Sequence, residues 1–176
     1  HDIENNASIT VNKTGAPFLL CGGIAGMGQK NTTLMNISNN GNITVTAEGQ
    51  SIVGGIVGQF LNGDKIYNVL NNGDVFVSVK ITGRSSASAG GITGLIFDSS
   101  IDRAINKKKI YIENTGKPDD EEVYAGGIAG SSRNTKYTNV GNEGSIECDS
   151  GRVGIAAGIK VGGDTNDSII NAYNTG

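Results

Sequence analysis

Apolar positions in this chain fall in short runs that alternate with polar residues or bunch together, and Gly, Asn or Asp closes each run. Asn42 to Thr46, Lys65 to Leu70 and Asp74 to Ile81 are runs of this kind, and Ser51 to Phe60 is a longer one. Short runs rich in β-branched side chains and bounded by turn formers predict strands. No stretch keeps apolar residues at i, i+3 and i+4 between caps, so helical repeats are excluded.

The runs recur. A Gly-Gly-Ile-x-Gly box begins at Gly22, Gly54, Gly90 and Gly126, and a degraded copy spans Gly154-Ile155-Ala156-Ala157-Gly158. A second box, Asn-x-x-Asn-x-Gly followed by a β-branched residue, begins at Asn36, Asn68, Arg103, Asn139 and Asn171. Its second asparagine never varies: Asn39, Asn71, Asn106, Asn142 and Asn174. Asn5-Asn6-Ala7-Ser8-Ile9 enters the same box part-way, and from Asn5 the steps are 34, 32, 35, 36 and 32 residues. Two boxes in fixed order at a near-constant period mark a repeat architecture.

A period of about 34 residues holding three strand-like pieces predicts an all-β parallel solenoid, with about five rungs of 32–36 residues and roughly three strands per rung. Stacking places equivalent side chains one above another. Ile24, Ile56, Ile92 and Ile128 then form one internal column. Ile43, Val75, Ile110 and Ile146 form a second, and Ile37, Val69, Ala104, Val140 and Ala172 a third. The asparagine column reads as a structural ladder, because a side-chain amide carries both donor and acceptor and stacked amides bond rung to rung. Asn36 is placed with this internal ladder. In the third repeat Arg103 and Lys107-Lys108-Lys109 replace the box residues, which predicts a remodelled corner.

The paired boxes, such as Gly54-Gly55-Ile56-Val57-Gly58 followed by Asn68-Val69-Leu70-Asn71-Asn72-Gly73, resemble the GLUG motif. That repeat occurs in large secreted bacterial proteins, adhesin-like surface proteins among them. The resemblance covers nearly the whole chain. It implies a β-solenoid in an extracellular or cell-surface setting, and it brings no catalytic residues.

Composition narrows the chemistry. Net charge is −3 and 18% of residues are charged, without the basic stripe that phosphate binding needs, so nucleic acid is not an expected partner. No apolar run approaches the roughly 20 residues needed to span a bilayer, so direct membrane insertion is not expected. His1 is the only histidine, which leaves a Ser-His-Asp triad or a histidine zinc site without its residues. No cofactor is expected. Cys21 and Cys148 fall about three rungs apart in this frame. At about 4.8 Å per rung that exceeds the reach of a disulfide, and both read as small buried hydrophobes.

Residual candidates are few. Asp119, Asp120, Glu121 and Glu122 are weak candidates for a cation, but consecutive acids lack the glycine-spaced ligands of a calcium loop and read as an exposed acidic loop. Asp98, Asp102 and Arg103 are the best candidates for a carbohydrate-active site, which needs carboxylates converging on one face. Among the Asn-x-Ser/Thr sequons, Asn12, Asn31 and Asn166 lie between boxes in expected loops and are the candidates for glycosylation.

The chain is therefore read as one solenoid domain over residues 1–176, an excerpt of a longer chain or fibre. The expected function is a non-enzymatic structural or adhesive module. Its expected partners are a host or cell-surface protein or glycan, or copies of itself end to end. A self-assembling filament subunit and a carbohydrate-binding or carbohydrate-active β-helix are the alternatives.

Overall fold

Alternation along Ile43–Glu48 buries Ile43, Val45 and Ala47 and turns Thr44 and Thr46 outward, the period-two pattern of a strand with one covered face. Val75–Lys80 and Ile110–Asn114 repeat it. With Ile9–Lys13 and Ile146–Asp149 they make a five-stranded parallel sheet in which Ile9, Ile43, Val75, Ile110 and Ile146 lie in register.

Phe18–Gly22, Gln50–Gly54, Ser86–Gly90, Glu122–Gly126 and Gly154–Ala157 form a second parallel sheet, the first four each ending on the first glycine of a box. In the fifth, Ala157, not Gly154, lies in register with Gly126, three residues from the start of the expected degraded copy. The third sheet has eight strands. Ile3–Asn5, Thr33–Asn39, Lys65–Asn71, Thr93–Asn106, Ala129–Asn142 and Ser168–Asn174 lie side by side, and Ala25–Gln29 and Val57–Leu61 extend it beside the first half of Thr93–Asn106.

The computed structural model describes residues 2–15, 18–63, 65–81, 85–116, 122–149, 154–157 (backbone) and 167–176. Every strand pairs in parallel with its equivalent one repeat away, and no helix is present among the described residues. The molecule is a parallel β-solenoid with three sheets. The path from Asn5 to Asn142 makes about four turns, slightly fewer than the expected rung count. Residues 150–153 and 158–166 lie outside the described residues.

Within each glycine box, between the second-sheet strand that ends on its first glycine and the third-sheet strand that begins on its fourth residue, the chain turns sharply. The Ile56 and Val57 N–H groups both donate to the Ile92 carbonyl at 3.0 Å, and Ile92 and Thr93 both donate to Ile128 at 3.0 Å. Two donors on one acceptor is the signature of a bulge, and it aims the box isoleucine inward. Ile56, Ile92 and Ile128 are fully buried, and Ile24 closes their column half-buried.

A separate aliphatic core lies between the other two sheets, built from Ile43, Val75, Ile110 and their neighbours. Tyr137 is the largest fully buried side chain; its phenol makes no hydrogen bond of standard geometry among the described residues, and the Ser132 side chain is the polar group beside it. Burial pushes its ionisation well above the ordinary tyrosine range. A buried polar atom without a partner carries its desolvation cost uncompensated. Tyr137→Phe should therefore leave the urea midpoint unchanged or raise stability by up to about 1 kcal/mol. A loss of more than about 1 kcal/mol would reveal a bond the phenol makes.

Candidate functional site

The feature that runs through every described turn is a line of side-chain amides. Asn5 donates to Asn39 at 2.7 Å, Asn39 to Asn71 at 2.9 Å and Asn71 to Asn106 at 2.8 Å. Asn106 then donates to Asn142, and Asn142 to Asn174, both at 2.7 Å. Asn39, Asn71, Asn106 and Asn142 are each 0% exposed. Each amide also donates its second N–H to the carbonyl two residues ahead: Gly41 at 2.8 Å, Gly73 at 2.7 Å, Lys108 at 2.7 Å and Gly144 at 2.6 Å. Both amide hydrogens and the amide oxygen are used, so a buried polar group costs nothing in lost bonds.

The two boxes recur together because they touch. A Cβ placed on Gly23, Gly55, Gly91 or Gly127, the second glycine of each box, would lie 2.3–2.6 Å from the Cγ of the ladder asparagine on its own rung, respectively Asn39, Asn71, Asn106 or Asn142. Only a residue without a side chain leaves room for the ladder amide. The glycine after the ladder asparagine is less strict. A Cβ on Gly73 would meet the Gly41 carbonyl oxygen at 2.0 Å, yet Lys108 occupies the equivalent place and its carbonyl still accepts from Asn106.

The first asparagine of the box does something else. Asn36, Asn68, Asn139 and Asn171 sit at φ of 53°, in the left-handed region, where they bend the third sheet. Asparagine tolerates this region better than other residues with a side chain. Asn36, expected in the internal ladder, is instead half-buried on the outer corner, its oxygen accepting from Asn68 at 2.8 Å. Asn171 likewise donates to Asn139 at 3.1 Å. Arg103 takes the same corner at φ 56°, so the backbone there keeps its shape from rung to rung, contrary to the expected remodelling. Its guanidinium lies 5.0 Å from the Tyr67 ring centroid, and Lys65 covers that ring at 4.6 Å.

Along this bent face runs a groove of about 840 Å³, with Asn36, Asn68, Arg103 and Asn139 at its bend and Leu70, Ile105 and Lys107 on one flank. Beside it, Lys65 donates to Asp102 at 3.1 Å and Asn139 donates to the other oxygen at 3.0 Å. Partial desolvation acts upward on the Asp102 carboxyl, but these two bonds, with the Lys65 and Arg103 charges, outweigh it and hold it below the ordinary carboxylate range. A depressed folded-state pKa stabilises the fold above the ordinary aspartate value of about 3.9. That contribution is lost as pH falls through the depressed value. In melting curves between about pH 5 and about pH 2, the advantage of the native protein over Asp102→Asn should shrink toward zero. A constant difference across that range would contradict the assignment.

Asp98 and Asp102 do not converge. Asp98 occupies a separate left-handed corner at φ 48° and accepts from Asn134 at 2.7 Å. Four strand positions separate the two, about 13 Å between Cα atoms for extended backbone, and each carboxylate accepts from a different asparagine of the next rung, Asn134 and Asn139. Glu122 is exposed at a strand start and accepts from the Tyr124 hydroxyl; Asp119, Asp120 and Glu121 lie outside the described residues. No group of three or more metal-ligating side chains occurs among the described residues. Asn12 is exposed within the strand Ile9–Lys13 rather than in a loop, Asn31 is exposed at a bend with φ 59°, and Asn166 lies outside the described residues.

Cys21 and Cys148 are not joined by a disulfide; they lie on the first and fifth strands of different sheets, so four rungs separate them rather than three. Cys21 is buried, which pushes its thiol up, and Cys148 is half-buried against the same core. One surface feature gave no signal in the repeat. Phe76 and Tyr111 stack on the outside of neighbouring rungs at 4.7 Å and 13° between planes, with Lys109 5.4 Å from the Tyr111 ring and paired to Glu147 at 2.7 Å. No helix among the described residues is long and apolar enough to cross a membrane. No family model, curated protein or solved structure matches the chain.

Proposed function

We propose that this chain is a non-enzymatic structural and adhesive module of a secreted or cell-surface protein. The supporting observation is the ladder: one unbroken line of amides, buried and fully bonded at Asn39, Asn71, Asn106 and Asn142, links every described turn. A solenoid tied along its axis in this way is stiff, and each added repeat lengthens it without changing its width. Such a body holds a binding surface at a fixed distance from its point of attachment. The resemblance of the paired boxes to the GLUG motif supports an extracellular setting.

The reading is tested on the cell. Antibodies against the folded module should label intact cells of the source organism or be depleted by its secreted fraction. Labelling that appears only after permeabilisation would overturn it.

A further inference from the structure

One rung departs from the repeat in a single chemical direction. Where the box has Asn, Asn, Gly and Asn at positions 36, 40, 41 and 42, the third repeat carries Arg103, Lys107, Lys108 and Lys109. Arg103 sits in the left-handed region where asparagine is tolerated and arginine is not favoured. It also interrupts the outer amide series, because Asn36–Asn68 and Asn139–Asn171 are bonded pairs on either side of it. A costly residue that also forfeits an outer amide bond, offset by contacts to the Tyr67 ring and the Asp102 charge, points to a role beyond the fold. Of the four cations, only Lys109 forms an ion pair among the described residues.

Arg103 and Lys107 both line the 840 Å³ groove, together with Val69, Leu70 and Ile105. We propose that this groove binds an acidic polysaccharide lying parallel to the solenoid axis, with a sugar carboxylate held between Arg103 and Lys107. The proposal rests on the adhesive reading above and names its ligand class. Rungs repeat every 4.8 Å or so, which is close to the length of one pyranose ring in an extended chain. On three of the groove's rungs Asn36, Asn68 and Asn139 each offer an amide, a donor and an acceptor together, to one sugar's hydroxyls, and Arg103 interrupts them. An extended peptide is the poorer occupant, because strand addition needs an open sheet edge. The groove presents the face of a sheet whose backbone groups are already paired. Asp2 and Glu4 line the opposite end of the groove, and Glu4 accepts from Asn40 at 2.6 Å. Their charge confines the carboxylate site to the rung of Arg103.

Binding of polygalacturonate, a neutral glucan and poly-glutamate to the full chain, measured by titration calorimetry at low salt, tests this. Polygalacturonate should bind, and the neutral glucan should bind at least about tenfold more weakly. The double variant Arg103→Asn, Lys107→Asn restores the repeat residues, so it should keep or raise the melting temperature while weakening polygalacturonate binding by about tenfold or more. Unchanged binding by that variant, equal binding of the glucan, or no binding of polygalacturonate would overturn the proposal. Equal binding of poly-glutamate would overturn the glycan assignment. None of these outcomes bears on surface labelling of cells, which tests the adhesive reading separately.

Discussion

Replacing Asn71 by alanine should cost about 3–5 kcal/mol of unfolding free energy, measured by urea denaturation. Its amide sits at the middle of the ladder with no exposure to water. Removing it takes the acceptor from one Asn39 N–H, the donor from the Asn106 oxygen and the donor from the Gly73 carbonyl. Each buried polar group left without a partner costs about 1–3 kcal/mol, and the amide also leaves a void. The exposed neighbour supplies the contrast. Asn72 donates to Asn40 at 2.8 Å on the outer surface, where water replaces a lost bond. Asn72→Ala should cost less than about 1 kcal/mol. Equal losses from the two variants would show that the buried line does not carry the stability.

The second large effect comes from a single methyl group. In Gly55→Ala the new Cβ would lie 2.1 Å from the Gly91 carbonyl oxygen and 2.5 Å from the Asn71 Cγ. Neither obstacle is the loose end of a side chain. The first is backbone of the next rung, held by parallel pairing; the second is the ladder. Relief requires the rungs to separate or the amide to leave its column, and both break hydrogen bonds. Gly55→Ala should destabilise by at least about 3 kcal/mol or abolish folded product, above the usual range for overpacking. Gly15 is the control. It has φ +67° and nothing within 4 Å of the place a Cβ would take, so Gly15→Ala meets only the left-handed penalty of about 1–2 kcal/mol. Comparable losses at the two sites would mean that backbone conformation, not contact with the ladder, explains the box.

Much of this architecture was legible in the sequence because period, spacing and side-chain chemistry all reported the same geometry. The three aliphatic columns and the amide ladder follow from counting residues between boxes. The contact between the second glycine and the asparagine does not, since the two are about 16 residues apart along the chain and only the closed turn brings them together. The role of the first asparagine was hidden for a different reason. Asn36 and Asn39 are chemically identical, and only the backbone angle separates an outer corner from an inner ladder. Arg103 hid it further, because a cation in an asparagine column looks like a broken corner when the backbone is in fact retained. The Phe76–Tyr111 stack was invisible for want of repetition: the equivalent residue one rung earlier is Thr44.

The central claim is that equivalent residues lie in register, one coil above the next. Thr10, Thr44, Phe76, Tyr111 and Glu147 share one outward column. Spin labels at Thr10 paired in turn with Tyr111 and Glu147 span three and four rungs, and pulsed dipolar distances report their separation. The two distances should differ by about 4.8 Å, with the longer close to about 19 Å once the label arms are allowed for. Equal distances, or a shorter one for the pair further apart in sequence, would contradict the stacked coil and everything built on it.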